Sequence, residues 1–512
     1  MRDRNFVILL FILAIGLILR FWLGLNTPLW LDEALQWRDS NWEWKTYINW
    51  SHNAIHAPLS FILTKLSLST FGHSEIALRL PSILIGGANI LFAYIIASAV
   101  MNKKEALIFC SFIALDPLLV EFDSSARMYS LWLFTTLLAL FVVIRIENKF
   151  QQCETVNIYY WLGLGVSYAL IFWSHPLGIY VWFAFTLSML AAGLKFGKSI
   201  YTIEKNYSER IKGLFIANVL AVIICYVGLM KMFNLWSVIE IAELTKTANL
   251  LQTIISFSGT RACWIFYLCA AMGLLITGRK NKSIFIYLVT LIIVGILFLL
   301  VGKQSHFIEP KYLYPTIIPV YIGLSAFIYY LFKYVVEKIG STNKKIIFCV
   351  FVLVVCGPLL IRASQTVQRI NSAINSPVSK YEGSRLVKYV SLNAVEKDTV
   401  IYIPPYLAVQ GDYYGISAYV PIVEVDERKW GDGYGYNLEE IYLNDRGKYW
   451  IIITSGYKNT IFSDRTYTEL KNILDKIGIK NINQEDWDKM EQSNVITIVD
   501  GRIHGMNSAE LM

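Results

Sequence analysis

Long apolar runs separated by short polar stretches fill the first 362 residues of the chain. The first run, Phe6 to Leu25, has 20 residues interrupted only by Arg20, and ~1.5 Å of rise per residue makes it long enough to cross a hydrocarbon core about 30 Å thick. Its length favours a membrane span over a cleaved signal peptide. Similar runs predict about eleven spans, at residues 6–25, 77–100, 106–121, 128–145, 158–173, 176–194, 213–233, 260–277, 284–301, 315–332 and 345–362. The shorter apolar run at 59–71 favours an interfacial or re-entrant helix.

After residue 362 the pattern changes to short β-rich runs that alternate with amphipathic stretches. The β-rich runs are TVIYI, YWIIIT and VITIV, and the amphipathic stretches lie at 382–392 and 466–477. This final part carries 36 charged residues in 150, of which 20 are acidic and 16 basic. We therefore expect a mainly α, polytopic membrane protein, with a transmembrane domain at 1–362 and a soluble C-terminal α/β domain at 363–512.

Composition agrees with a membrane protein, because 55% of residues are hydrophobic and only 16% are charged. The formal net charge of +8 comes from the first 362 residues, where flanking Lys and Arg are expected beside spans, so it requires no nucleic acid. With the N-terminus inside, the inner loops hold 18 of these cations. This bias predicts a multi-pass protein of the plasma (inner) membrane with a cytoplasmic N-terminus and an extracytoplasmic C-terminal domain.

Several classes of site lack their motifs in this sequence. None of the seven cysteines forms a C-x-x-C pair, and the final 150 residues contain no cysteine, so neither a zinc knuckle nor a disulfide framework is indicated. No G-x-x-x-x-G-K-[ST] phosphate loop is present. Chemistry driven by ATP inside the cell is therefore not expected.

The segment TPLWLDEALQWRDS, at 27–40, places two adjacent carboxylates, Asp32 and Glu33, just after the first span. Adjacent residues on a helix point ~100° apart, so the two cannot both aim at one atom. A two-carboxylate site would need a partner from elsewhere. The segment DPLLVEFDSSARMYS, at the end of the third span, brings further charged groups to the same outer face: Asp116, Glu121, Asp123 and Arg127.

Other polar residues collect at that face. They are His52 and His56 in the first outer loop, His175 in WSHPLG, and Glu309, Lys311 and Tyr312 in IEPKYLYP. A histidine beside proline is often a turn residue, and a lysine near a span end often extends to lipid phosphate. Their convergence on one face nevertheless favours a site, because charges at a membrane surface must be paired or used.

The ordered motifs resemble a known family. LWLDEA, then HAPLSFILTKLSLSTFGHSEIALRLPSILIGG, then SSARMYSLWLF look like the GT-C membrane glycosyltransferases, closest to family 39, the protein mannosyltransferases, and the aminoarabinose transferase-like group. The likeness covers residues 5 to about 200. It implies a sugar donor carried on polyprenyl monophosphate and an acceptor met at the outer face.

The resemblance also implies roles for particular residues. Asp32 would be the catalytic carboxylate with Glu33 beside it, and Asp123 would be the second acidic position. Arg127 and Tyr129 would follow as a pair, and Arg79 matches the basic residue of the R-L-P-S element. Together with the outer-face residues above, this gives three expected groups. They are a catalytic group of Asp32, Glu33 and Asp123; a donor-phosphate group of Arg127, Lys311 and Arg79; and a substrate-binding group of His56, Tyr129, His175, Glu309 and Tyr312.

Displacing a sugar from a phosphate requires a base for the acceptor proton, cations for the leaving phosphate and an apolar surface for the lipid. Asp32 suits the base, and Arg127 and Lys311 suit the phosphate. Direct displacement on one face predicts inversion at the anomeric carbon. A divalent metal held between Asp32 and Asp123 stays open at this point, as does any other cofactor.

Two other functions share these features. A flippase or transporter of lipid-linked sugars would need a similar charged lining, but it should place ionisable residues in mid-span rather than at one outer face. A ligase or polymerase acting on a diphosphate-linked glycan would differ only in its donor. The expected partners are the donor lipid, membrane lipids and an acceptor that is a lipid, a glycan or a protein. The sequence identifies neither the transferred sugar, a hexose or a pentose, nor the acceptor.

Overall fold

The computed structural model describes residues 4–46, 57–193, 200–238, 263–302, 310–339, 344–376, 380–395, 398–403, 407–415, 422–424, 448–453, 484–499 and 502–507. Contacts divide the chain into two compact units. The first unit contains Met1–Gly24 and Glu43–Gln368, and the second contains Leu25–Trp42 and Arg369–Met512. Each unit has its own hydrophobic core.

Helices dominate the described chain up to residue 375. In order they are α1 (Arg4–Asn26), α2 (Leu31–Asn41), α3 (Pro58–Phe71), α4 (Glu75–Val100), α5 (Lys103–Leu115), α6 (Pro117–Asp123), α7 (Tyr129–Gln151), α8 (Ile158–Ser174), α9 (Gly178–Gly193), α10 (Ile200–Val238), α11 (Cys263–Lys280), α12 (Lys282–Gly302), a 3₁₀ segment (Pro310–Thr316), α13 (Ile317–Ile339), α14 (Lys344–Phe351), a π-helical turn (Val352–Cys356) and α15 (Gly357–Asn375).

Each of the eleven predicted spans overlaps helical structure, and the protein is a multi-pass membrane protein. Within the described ranges, six helices are long and apolar enough to cross a membrane: Arg4–Asn26, Glu75–Val100, Tyr129–Gln151, Tyr207–Met230, Lys311–Ile339 and Ile346–Asn375. Shorter apolar helices occupy Ile158–Ser174, Gly178–Gly193 and Lys282–Phe298. The apolar run at 59–71 forms α3, a helix of 14 residues.

The third predicted span, 106–121, is not one continuous helix. It breaks at Asp116, which is extended and whose side chain caps α6 by accepting the Leu119 N–H at 2.8 Å. Pro117 then occupies the first position of α6, where its missing N–H costs nothing. The 13 residues of α5 rise only about 20 Å. The break between α5 and α6 therefore carries a buried carboxylate, that of Asp116.

Two glycines bring α11 and α13 into backbone contact. A Cβ built on Gly273 would lie 1.7 Å from the Gly323 carbonyl oxygen, and one built on Gly323 would lie 2.2 Å from the Ala270 carbonyl oxygen. Small residues permit this approach, which is a common device for packing helices inside membranes.

A buried ion pair joins three helices of the first unit. Glu147 on α7 accepts hydrogen bonds from Arg210 on α10 and from the Tyr287 hydroxyl on α12, the latter at 2.7 Å. The side chains of Glu147 and Arg210 are 1% and 3% exposed. Because removing one partner would leave a buried charge, this pair fixes which helices are neighbours.

The second unit contains a mixed five-stranded sheet. Its elements are α16 (Glu382–Asn393), β1 (Thr399–Ile403), α17 (Ala408–Tyr413), β2 (Ile422–Glu424), β3 (Tyr449–Ile453), α18 (Gln484–Gln492), β4 (Val495–Val499) and β5 (Arg502–Met506). The strand order is β2-β1-β3-β4-β5, parallel between β2, β1 and β3 and antiparallel from β3 to β5. The three predicted β-runs and the stretch at 382–392 are confirmed, whereas 466–477 lies outside the described residues.

The core of this sheet is built from alternate strand residues and one face of α16. It contains Leu386, Val387 and Val390 from the helix, and Val400, Tyr402, Trp450, Ile452 and Val495 from the strands. The same unit includes Leu25–Trp42, and therefore α2. The expected boundary after residue 362 stays a prediction, while the contacts change units between Gln368 and Arg369, inside α15.

Candidate active site

The two carboxylates of the LDE motif have different surroundings. Both lie in the first turn of α2, where the helix dipole favours negative charge. Glu33 is fully buried, and its Oε2 accepts the Trp30 N–H at 3.3 Å, as the acidic residue of a capping box does. Asp32 is partly exposed. The pair therefore presents one carboxylate to its surroundings and uses the other to hold the start of α2.

Asp123 ends α6 and is completely buried in the first unit. Arg20, inside α1, donates to its Oδ2 from Nε at 2.9 Å and from Nη2 at 2.7 Å. The remaining contacts of this guanidinium go to the carbonyl oxygens of Gly16, Ile113 and Ala114 at 2.9 to 3.2 Å. These five contacts match the five N–H donors of an arginine. The result is a fully bonded ion pair between α1 and α6.

The surroundings of Asp123 are fitted to its carboxylate. The Tyr314 hydroxyl, in the 3₁₀ segment, donates to Oδ1 at 3.3 Å. On α4, a Cβ at Gly86 would lie 2.7 Å from Oδ2 and 2.8 Å from the Asp123 Cγ. Only a glycine leaves room for the acid at this position.

A second acid repeats the arrangement at the other end of α6. Asp116 accepts a hydrogen bond from the Tyr321 hydroxyl, and Arg362 on α15 lies 3.7 Å from its Oδ2. The two acids are seven residues apart, and so are Tyr314 and Tyr321. Seven residues are about two helical turns. Two Asp-Arg-Tyr groups therefore hold α6 at both ends.

The two arginines expected to bind the donor phosphate are both buried. Arg79 on α4 is 1% exposed and donates from Nη1 to the Gly24 carbonyl at 2.6 Å. Arg127 is 5% exposed and lines a narrow cleft with the hydroxyl side chains of Ser60, Thr64 and Ser82. Arg79 thus supports the end of α1, whereas Arg127 lies beside polar groups of the kind that bind an oxyanion.

His175 is the turn residue between α8 and α9, as its neighbouring proline suggested. Its Nδ1 accepts the Leu177 N–H at 3.1 Å, and its ring stacks on Trp132 with centroids 4.1 Å apart. Tyr129, buried at the start of α7, lies 5.7 Å from the His175 ring and 5.9 Å from the Tyr314 ring. These aromatic residues join the surroundings of Asp123 to the α8–α9 turn.

The KYLYP element forms the 3₁₀ segment. Lys311 Nζ lies 5.5 Å from the Tyr312 ring centroid, and both residues are partly exposed. The Tyr312 ring is 6.3 Å from that of His175. His52, His56 and Glu309 lie outside the described residues.

The structure thus gathers Asp123, Tyr129, His175 and Tyr312 in the first unit, with Arg127 and Lys311 in the same unit. Asp32 and Glu33 belong to the second. The pairing of Asp32 with Asp123 therefore stays a proposal.

The described residues contain no group of three or more His, Cys, Asp or Glu side chains that could hold a metal. The donors around Asp123 are also unsuited to a cation, because its Oδ2 already accepts two N–H groups of Arg20. Asp123 therefore belongs to the ion pair with Arg20.

Sequence reasoning assigned no role to four residues of these networks: Arg20, Tyr314, Tyr321 and Arg362. One signal was available, because a lone arginine inside an otherwise apolar span indicates a buried acidic partner. The tyrosines gave no such signal, since their partners are 191 and 205 residues away.

Comparison with known proteins gives matches to one family and to related structures. Residues 55–200 match the family model described as dolichyl-phosphate-mannose-protein mannosyltransferase. No curated protein sequence matches the chain.

Among solved structures, ArnT from Cupriavidus metallidurans in the apo state matches with a TM-score of 0.53 and 11% identity, over 88% of this chain and 93% of that one. Its form bound to undecaprenyl phosphate gives a TM-score of 0.51 at 11% identity, over the same shares. The apo oligosaccharyltransferase of Archaeoglobus fulgidus gives 0.52 at 13% identity, over 93% of this chain and 69% of that one. In other structures of that oligosaccharyltransferase, this chain spans 61% to 64% of the length.

At these identities the matches concern the fold, and they agree with the motif order in the sequence. The chain has the fold of the GT-C membrane glycosyltransferases, and its residues 55–200 match the model of the protein mannosyltransferase family.

Proposed function

We propose that this protein is a membrane glycosyltransferase that moves a sugar from a polyprenyl-phosphate donor to an acceptor on the outer face of the plasma membrane. The shared fold supports it, since one structure of that fold is of ArnT bound to undecaprenyl phosphate. The observation that carries it is the geometry of α2: one carboxylate, Asp32, is partly exposed, beside a second, Glu33, that is buried as a cap.

In the proposed reaction, Asp32 takes the proton of an acceptor hydroxyl. The acceptor oxygen forms a bond to the anomeric carbon as the bond from that carbon to the donor phosphate oxygen breaks. Polyprenyl phosphate leaves with the bonding electrons, and the configuration at the anomeric carbon inverts. A general base in reach of the acceptor contributes roughly 10²- to 10⁴-fold to such a rate.

Arg127 and Lys311 bind the departing phosphate in this proposal. Arg127 lies in a narrow cleft with the side chains of Ser60, Thr64 and Ser82, and its guanidinium can bind phosphate oxygens through charge-assisted hydrogen bonds. Lys311 lies beside Tyr312 in the 3₁₀ segment, from which Tyr314 also reaches Asp123. Asp123 is then a support for this segment. Tyr312, which is partly exposed, contacts the sugar, while the buried His175 ring packs beside it and Tyr129 packs against His175. His56 and Glu309 complete the proposed substrate contacts.

The test is sugar transfer by purified protein in lipid nanodiscs, with polyprenyl-phosphate sugars as donors and extracted envelope lipids as acceptors. Asp32→Asn should lower kcat by roughly 100-fold or more while donor binding, followed by equilibrium pull-down of radiolabelled donor, is retained. Glu33→Gln keeps an oxygen for the Trp30 N–H, so it should retain most of the turnover.

Glu43→Gln, at an exposed position just after α2, is the matched control and should transfer sugar like the unaltered protein. Sugar transfer by Asp32→Asn at the rate of the unaltered protein would show that Asp32 is not the base. Movement of lipid-linked sugar across the membrane of proteoliposomes that contain the purified protein, without sugar transfer, would favour the transporter over the glycosyltransferase.

A further inference from the structure

The backbone of Leu29, three residues before Asp32, is bonded on both sides by side chains from the far end of the chain. Its N–H donates to the Tyr414 hydroxyl oxygen at 3.3 Å, and its carbonyl oxygen accepts a hydrogen bond from the Ser384 hydroxyl. Tyr414 and Ser384 lie 385 and 355 residues later. Leu29 itself is fully buried. Two long-range hydrogen bonds thus fix the peptide groups on both sides of Leu29, at the entrance to α2.

Aromatic contacts hold α2 on either side of this point. The Trp37 ring meets Tyr413 edge-on with centroids 5.2 Å apart, and Tyr413 in turn packs against Tyr414 at 5.0 Å. Lys380 Nζ lies 4.4 Å from the Trp30 ring centroid, within the range of a cation–π interaction. The contacts therefore extend from residue 29 to residue 37, across the turn that contains Asp32.

The helix that provides Ser384 is itself anchored. Arg385, the next residue, donates to the carbonyl oxygens of Ala373, Ile374 and Ser376 at the end of α15. Leu386 and Val387, the two residues after that, belong to the core under the sheet. The Ser384 hydroxyl is thus presented by a rigid element, which is what a precise hydrogen bond requires.

We propose that Ser384 and Tyr414 are positioning residues for Asp32. By holding the backbone of Leu29, these two residues of the C-terminal domain fix the position of α2, the helix that carries Asp32. This proposal rests on the proposed function for its catalytic part. A short helix that follows a membrane span has considerable freedom, and a misplacement of about 1 Å can cost roughly 100-fold in rate. The two hydrogen bonds at Leu29, three residues before Asp32, restrict this movement of α2.

The test combines hydrogen–deuterium exchange with steady-state kinetics on the full-length protein in nanodiscs. Ser384→Ala and Tyr414→Phe each remove one hydroxyl, and the double variant removes both. Peptides covering residues 25–42 should exchange faster in each variant, fastest in the double variant. The kcat should fall roughly 10- to 100-fold, with the KM for the donor within about twofold of the unaltered value, because positioning and donor affinity are separate properties.

Two variants on the same helix serve as controls. Ser391→Ala removes a hydroxyl that donates to the Lys388 carbonyl, and Tyr389→Phe removes one beside the Met506 sulfur. Neither should change the exchange of residues 25–42 or the kcat. Exchange unchanged in Ser384→Ala and Tyr414→Phe would overturn the proposal, and so would faster exchange with unchanged kcat.

Failure of the proposed function would look different. If the unaltered protein transfers no sugar from any donor, the glycosyltransferase assignment fails and the kinetic arm is lost with it. The exchange arm then decides by itself whether Ser384 and Tyr414 hold residues 25–42: faster exchange retains the anchoring role and unchanged exchange removes it.

Discussion

Arg20 and Asp123 form a buried charged pair in the first unit. Each is fully buried. The guanidinium of Arg20 makes five hydrogen bonds, two to the Asp123 carboxylate and three to nearby carbonyl oxygens. Such a pair need not stabilise a protein more than apolar residues would, but it makes each partner depend on the other.

This dependence gives a prediction. Arg20→Leu leaves the Asp123 carboxylate buried without its cation and should destabilise the first unit by about 3 to 5 kcal/mol. Asp123→Leu should be similarly harmful, whereas the double variant should regain most of the loss. Thermal unfolding in detergent, followed by the protein that stays soluble after heating, checks this. Melting of Arg20→Leu at the temperature of the unaltered protein would contradict it, and sugar transfer by a stable double variant would show that Asp123 is dispensable for chemistry.

At this scale the sequence indicates the residue types but not their partners. Asp32, Asp123 and Arg127 stand out because charges are rare in so apolar a chain. Hydropathy treats Arg20 only as an interruption of a span. Its role follows from the Asp123 carboxylate on α6 and the Ala114 carbonyl oxygen on α5, which no local pattern contains.

At the scale of elements, each of the eleven apolar runs that hydropathy identified overlaps helical structure, because a bilayer demands long apolar helices. Hydropathy missed the break at Asp116, since a single acid before a proline barely changes the average over a window. It also treated the polar stretch after the first span as part of the first outer loop. The segment that forms α2 is mostly polar, and its contacts with Tyr413 and Tyr414 are long-range.

The close contact of α11 and α13 at Gly273 and Gly323 gives a prediction about helix packing. Gly273→Ala and Gly323→Ala each place a methyl group within 2.2 Å of a carbonyl oxygen, so α11 and α13 must separate. Overpacking of this kind costs roughly 1 to 3 kcal/mol. Gly163→Ala on α8 is the control, because its Cβ would meet nothing within 4 Å. The first two should lower the melting temperature in detergent and the third should not; equal melting of all three would exclude a close contact.

At the scale of the whole molecule, the distribution of Lys and Arg predicts a cytoplasmic N-terminus and an extracytoplasmic C-terminal domain. Leu392→Cys places a thiol at a position that is 78% exposed on α16, and Lys104→Cys places one at the exposed start of α5. With the seven native cysteines replaced, a membrane-impermeant maleimide should label only Leu392→Cys in sealed right-side-out vesicles. Labelling of only Lys104→Cys would reverse the orientation.

The sequence could not predict which segments of the chain make up the second unit. Hydropathy separates a membrane domain from a soluble one along the chain, and it assigns each residue by its neighbours in sequence. Leu25–Trp42 packs instead with Arg369–Met512. Only three-dimensional contacts, such as those of Leu29 with Ser384 and Tyr414, reveal this grouping.

The anchoring of Leu29 has a consequence for the order of events during synthesis. Residue 42 leaves the ribosome more than 300 residues before residue 369, and at roughly 5 to 20 residues per second the delay amounts to tens of seconds. During that time the segment that carries Asp32 lacks the surface on which it rests. A nascent chain, or one truncated before residue 384, would thus lack the Ser384 and Tyr414 contacts of Leu29. If Asp32 acts as proposed, only a chain synthesised past residue 414 could begin turnover.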